Sequence, residues 1–144
     1  MALRVVLDAN VLVPGFVGRG APARLIEIWR NGEMELIVSE HLLGEVERAY
    51  SDPYYASRVS SDQVYRIMKV LREEATGTLL TFLVSGVATQ PKDDLILSTA
   101  MSADAEYLAT RDRQLLRLER YQTVTILHPV DLVLLIEYHR HTGP

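Results

Sequence analysis

The chain has no cysteine, which excludes disulfides, thiolate nucleophiles and cysteine-held metals. It has no apolar run approaching the roughly 20 residues of a membrane span, so no membrane association is expected. Lysine is nearly missing: Lys69 and Lys92 stand against 13 arginines. Chemistry that depends on a lysine at a particular strand edge is therefore hard to supply. No internal repeat, low-complexity tract or linker breaks the chain. No signal-peptide pattern precedes the first apolar stretch, Leu3-Arg4-Val5-Val6-Leu7, and a cytoplasmic location is expected. A net charge of −4 argues against a general nucleic-acid coat protein.

What is present reads as globular. Apolar residues make up 48% and charged residues 24% of 144, too apolar for disorder. One domain of this size buries roughly two thirds of its unfolded surface. We expect that domain over residues 1–138 and a frayed tail over 139–144. Strand-like and helix-like stretches alternate, which favours a parallel sheet covered by helices. Strands are expected at Leu3–Leu7, Glu35–Val38, Glu106–Ala109 and Thr123–Leu127. A loop carrying Pro14, Gly15, Gly18 and Gly20 is expected after the first. Helices are expected from Pro22 to near Asn31, from Glu40 to about Tyr50, and after a capping box at Ser60 and Gln63. Others run from Pro91 to about Ala103, from Arg113 to Leu118, and from Pro129 to near Tyr138. Residues 79–84 fit a strand or a helix end equally, and periodicity does not decide.

Four acids fall where such a fold collects its strand ends. Asp8 closes the first apolar run, and Asp112 closes Tyr107-Leu108-Ala109-Thr110. In open parallel sheets, ligands bind outside the carboxyl ends of the strands. A helix that follows a strand starts at the same edge, which brings in Asp93, at a helix start, and Glu45, inside the second helix. Each has a structural alternative. Asp93 and Asp112 fit helix N-caps, and Asp94 fits either role. Glu45 and Glu47 flank the apolar stripe of their helix at equal angles, so spacing does not choose between them. Taken together, converging carboxylates repel one another and are tolerated chiefly around a hard divalent cation. With no histidine or cysteine beside them in sequence, they form an oxygen-only donor set suited to Mg²⁺ or Mn²⁺ rather than zinc. Such ions complete their shells with phosphate oxygens, which points to phosphodiester or phosphoryl chemistry. Arg111, Arg113, Arg117 and Arg120 cluster near Asp112 and suit phosphate, although a solvated helix face explains them as well.

Four segments carry a resemblance to a known family: Val5-Val6-Leu7-Asp8-Ala9-Asn10-Val11-Leu12, Ser39-Glu40-His41-Leu42-Leu43-Gly44-Glu45-Val46, Pro91-Lys92-Asp93-Asp94-Leu95-Ile96-Leu97-Ser98-Thr99-Ala100 and Ala105-Glu106-Tyr107-Leu108-Ala109-Thr110-Arg111-Asp112. In order and spacing they resemble the PIN-domain family, the nuclease fold common among toxins of bacterial and archaeal toxin–antitoxin pairs. The resemblance implies a three-layer α/β/α sandwich with a central parallel sheet of four to five strands. It selects Glu45 over Glu47 and Asp93 over its neighbour Asp94, which stays an adjacent candidate ligand. It implies an RNA substrate, a homodimer and a cognate antitoxin partner. Relatives often carry a further acid shortly after the fourth. Here Arg113 and Gln114 follow, so one metal is expected and a second is left open.

On this reading Asp8, Glu45, Asp93 and Asp112 hold Mg²⁺ or Mn²⁺ for hydrolysis of RNA phosphodiesters. Asn10 and Thr110 support the carboxylates from behind, and Arg111 and Arg113 face the RNA backbone. The alternative is a catalytically weak PIN-like module that binds RNA or protein. A haloacid-dehalogenase-like phosphatase needs a second Asp where this chain has Asn10, and a receiver domain needs a lysine at the last strand edge.

Overall fold

The computed structural model describes the backbone of residues 2–142 and the side chains of 2–140. Its centre is β1 (Leu3–Leu7), in which Val5, Val6 and Leu7 are wholly buried. A strand covered on both faces has no reason to alternate polar with apolar, and this one does not. Each of those three side chains contributes roughly 1.5–3 kcal/mol of burial. β1 pairs in parallel with β2 (Met34–Val38) on one side and with β4 (Tyr107–Ala109) on the other. Beyond β2 lies β3 (Thr76–Gly77), and beyond β4 lies β6 (Val124–Leu127), both parallel. β5 (Arg120–Tyr121) closes that side as an antiparallel edge. The order is β3-β2-β1-β4-β6-β5. The expected four to five strands become six because β3 and β5 have two residues each, too short to leave a period-two signal.

The first departure from expectation is α1 (Ala9–Val17), which replaces the predicted glycine–proline loop. Asp8 starts it: its side chain accepts from the Ala9 amide at 2.8 Å, and its carbonyl accepts from the Val11 and Leu12 amides. Pro14 inside the helix has no N–H to donate, and burial of Val11, Leu12 and Val13 offsets that loss. Gly15 is a packing residue rather than a turn residue. A Cβ there would meet Ile26 Cγ1 at 2.8 Å and the Pro22 carbonyl oxygen at 3.0 Å, so glycine lets α1 lie close against α2 (Ala21–Arg30).

α3 (Glu40–Ser51) follows β2, with the Ser39 side chain accepting from the Leu42 amide as its cap. Asp52 and Pro53 end α3 as expected and also open a four-residue helix, α4 (Pro53–Ala56). The capping box at Ser60 and Gln63 is present and starts α5 (Ser61–Glu74). α6 (Pro91–Ser102), α7 (Arg113–Leu118) and α8 (Pro129–Thr142) complete the fold.

Residues 79–84 are neither strand nor helix. One face of α6 holds this loop in place. Ser102 Oγ accepts from the Thr81 and Phe82 amides at 3.0 and 2.9 Å, and Ser98 Oγ accepts from the Val84 amide at 2.9 Å. The Asp94 carboxylate takes the Gly86, Val87 and Ala88 amides at 3.0, 3.2 and 2.7 Å. Positions 94, 98 and 102 are one helical turn apart, so a polar ladder on α6 replaces the strand or helix bonds the loop lacks.

The C-terminal segment expected to fray is helical through Thr142. Arg24 pairs with Glu137 at 3.1 Å, and Arg140 pairs with Glu33. Residues 143 and 144 of that segment lie outside the described residues. Among the described residues, no helix is long and apolar enough to cross a membrane.

Candidate active site

Asp8, Glu45, Asp93 and Asp112 all open on one cavity of about 520 Å³, together with Asn10, Lys92 and Arg111. Their carriers explain the convergence. Asp8 ends β1, Asp112 follows β4, Asp93 lies in the first turn of α6, and Glu45 sits on the second turn of α3. The parallel pairing of β1 with β4 brings Asp8 and Asp112 to the same edge: the Asp8 amide donates to the Ala109 carbonyl at 2.9 Å, extending the ladder by one residue.

A small network locks that edge. Thr110 Oγ1 donates to Asp8 Oδ2 at 2.8 Å and accepts from the Asp112 amide at 3.0 Å and from Asn10 Nδ2 at 3.3 Å. That uses the hydroxyl's one proton and both lone pairs, and the residue is completely buried. Asn10 Nδ2 also reaches Asp8 Oδ2 at 3.4 Å, while its Oδ1 accepts from the Arg111 amide at 3.0 Å. Asn10 and Thr110 thus tie the ends of β1 and β4 together.

Asp112 has both roles that its position allows. Its Oδ1 caps α7, accepting from the Gln114 and Leu115 amides at 2.8 and 3.2 Å, and the side chain still lines the cavity. Asp93 is not a cap: Gln90 holds that position, with Pro91 at the start of the helix. Among the described hydrogen bonds none reaches the Asp93 carboxylate, although the residue is 6% exposed. Asp94, kept open as a candidate ligand, is corrected here. Its two oxygens are taken up by three loop amides, and it does not line the cavity. Spacing left Glu45 and Glu47 equal, but the fold separates them. Glu45 faces the acids, while Glu47 is exposed and borders a different depression beside Tyr50 and Ser51.

The electrostatics are those of buried, crowded acids that their donors and cations only partly compensate. Burial, with added repulsion from Glu45 and Asp93, pushes Asp8 up to about 6 despite the Thr110 and Ala9 hydrogen bonds that favour its charged form. Asp93 is raised by burial first and then by Asp112, with Lys92 opposing and Glu45 and Asp94 adding to the rise. His41 Nε2 lies 2.8 Å from Glu45 Oε1, without the alignment of a hydrogen bond.

Of the expected phosphate-facing arginines, Arg111 lines the cavity, while Arg113 is exposed outside its lining. Lys92 and Tyr55 line it too, and sequence reasoning did not assign them. Lys92 had a signal, namely its place directly before Asp93 at a helix start. Tyr55 had none, because the short helix that presents it was not expected.

Only oxygen donors project from these acids, and burial, with added repulsion from their neighbours, raises two of them, so the chemistry of the set fits a hard divalent cation. Among the described residues, no three His, Asp or Glu side chains stand close enough together to hold a metal ion by direct ligation. Mg²⁺ commonly keeps several of its waters, and an open set of this kind suits such an ion.

A family model described as PIN domain matches residues 4–114, a span that contains all four acids. Among solved structures, the fold is similar to a chain of VapBC2 from Rickettsia felis bound to a DNA fragment from their promoter. That alignment has 14% identity over 86% of this chain and 97% of the other, with a TM-score of 0.57. FitAcB from Neisseria gonorrhoeae aligns at 13% identity over 88% and 98%, with a TM-score of 0.54. The RRP44 PIN domain of T. brucei aligns at 11% over 98% and 84%, with a TM-score of 0.50. At these identities the likeness is one of fold. No curated protein matches the chain.

Proposed function

The chain belongs to the PIN-domain family, and from that premise we propose that it is a Mg²⁺- or Mn²⁺-dependent ribonuclease, the toxin of a type II toxin–antitoxin pair. The observation that carries this reading is the meeting of Asp8, Glu45, Asp93 and Asp112 in one cavity, two of them raised by burial and by their neighbours.

In this reading Asp8, Glu45, Asp93 and Asp112 would hold the cation, directly or through its waters. When bound, the cation neutralises charge on the scissile phosphate and makes a coordinated water more acidic. The protein's own part is preorganisation. Thr110 and the Ala9 amide orient Asp8, and the Gln114 and Leu115 amides engage one oxygen of Asp112, with none among the described hydrogen bonds on the other. Asp93 and Glu45 accept no hydrogen bond among those described, and either carboxylate would be free to take a proton from an attacking water. Lys92 and Arg111 supply positive charge at the rim, where a phosphate backbone would pass.

The test is cleavage of a generic single-stranded RNA with EDTA or with added Mn²⁺. We expect cleavage only with metal and its loss in Asp8→Asn. Full metal-dependent cleavage by Asp8→Asn overturns the assignment, and RNA binding without cleavage supports the binding-module reading instead. The similarity in fold to chains of VapBC2 and FitAcB supports an antitoxin partner, and the resemblance extends this to a homodimer. Light scattering of the purified chain, alone and with the product of a neighbouring small reading frame, checks both.

A further inference from the structure

Beside the acid cavity lies a second one, also of about 520 Å³, lined in part by Phe16, Tyr54, Arg58 and Gln63. The two cavities share Pro14 and Tyr55 and so adjoin.

Three aromatic rings lead outward from the core to this second cavity, which Tyr55 and Tyr54 line. Tyr50 is buried, and its hydroxyl donates to the Val13 carbonyl at 2.8 Å. Tyr55 meets Tyr50 edge-on at a centroid distance of 5.7 Å, and Tyr54 meets Tyr55 edge-on at 5.0 Å. The outermost ring, Tyr54, is 57% exposed. The Arg58 guanidinium lies over it, with Cζ 3.9 Å from the ring centroid. Among the described residues, Arg58 has no carboxylate partner. Its Nη1 donates to the Tyr54 carbonyl at 2.7 Å and to Ser57 Oγ at 3.1 Å.

Those two bonds explain Arg58 as a clamp on the end of α4, but they do not explain why a large ring stays in solvent beneath an unneutralised cation. Exposed aromatic rings and unpaired guanidinium groups are what proteins offer to unpaired bases, because every base has a π-face. Arginine adds attraction to both the ring and a nearby phosphate.

We propose that this second cavity seats an unpaired base of single-stranded RNA, with Tyr54 and Arg58 as the stacking surface, while a neighbouring phosphate of the same strand faces the four acids. This rests on the nuclease reading and narrows it: the substrate must be able to splay a base out, which a continuous duplex cannot.

The experiment measures fluorescence anisotropy of a labelled ten-nucleotide RNA with the full chain carrying Asp8→Asn, in Mg²⁺, so that the strand stays intact. Adding Tyr54→Ala or Arg58→Ala should weaken binding about tenfold. Tyr54→Phe should stay within about twofold, since stacking does not need the hydroxyl. An abasic scan of the RNA should find a position where removing the base costs the same tenfold, and costs nothing further once Tyr54→Ala is present. If no position shows that coupling, or if a fully paired duplex loses as much as the single strand, the base seat is overturned. Wild-type chain is assayed in parallel for Mn²⁺-dependent cleavage. Cleavage without the coupling discards the seat alone; no cleavage and no binding of any RNA discards the seat and the nuclease reading together. Melting curves of the Tyr54 variants, expected to overlay because the ring is exposed, exclude misfolding.

Discussion

Asp93 and Asp94 are neighbours on α6 and almost equally buried, at 6% and 8% exposure, yet they do opposite work. Asp94 faces the loop that leads into the helix and accepts three backbone amides, so its charge is compensated. Asp93 faces the cavity, accepts none among the described hydrogen bonds, and is raised by burial and by Asp112. The first carboxylate is a structural fastener. The second keeps its lone pairs free at a cost to the empty fold. What separates these two carboxylates is therefore not burial or residue type but what each faces: Asp93 lines the cavity and Asp94 the loop.

The contrast can be broken by exchanging the two phenotypes. Asp93→Asn should lower metal-dependent RNA cleavage by more than about a hundredfold, beyond the 10–100-fold typical of residues that only support a ligand. Its melting temperature should hold or rise, because a repelled charge is removed. Asp94→Ala should do the reverse. Leaving three amides without their acceptor should destabilise the fold by roughly 2–4 kcal/mol, read from urea unfolding. Cleavage at temperatures well below melting should persist. An Asp94→Ala variant as stable as wild type would show that the ladder does not hold the loop.

A pH series sharpens the same contrast through Asp8. Its carboxyl is held above its ordinary value in the folded chain, at about 6 against 3.8, so the folded state keeps the proton longer than the unfolded one. That stabilisation is complete below the lower value and fades as pH rises through about 6. Without metal, roughly 3 kcal/mol of stability should be lost across that window. Asp8→Asn should lack this component, and denaturant midpoints of both chains between pH 4 and pH 7.5 would reveal it. The smallest effect belongs to Glu47→Gln. An exposed side chain away from the cavity should change stability by no more than about 0.5 kcal/mol and leave cleavage unaltered. A large loss of cleavage would mean that the wrong glutamate of α3 has been assigned.

Much of this was legible from residues alone. β1 was expected at its observed bounds because a strand covered on both faces is a continuous apolar run, and the start of α3 was legible in Ser39. The convergence of distant acids followed from the rule that parallel strands and the helices after them meet at one edge. Other features were hidden. α1 was read as a loop because Pro14, Gly15 and Gly18 are local breakers, and only contact with α2 shows that Gly15 serves close approach. Residues 79–84 carried apolar residues with no decisive period, because their backbone bonds go to side chains 14 to 21 positions away on α6.

The amino-acid order by itself determined which chemistry is available: carboxylates and arginines in plenty, no thiols, almost no lysines, and a strand–helix rhythm that delivers acids to one edge. The resemblance already favoured one acid of each ambiguous pair, but only the tertiary structure supplied the physical reason. Glu45 and Glu47 are symmetric about their helix stripe, and Asp93 and Asp94 are adjacent on theirs. The choice within each pair depends on what packs against the helix, and that partner is supplied by segments far away in sequence.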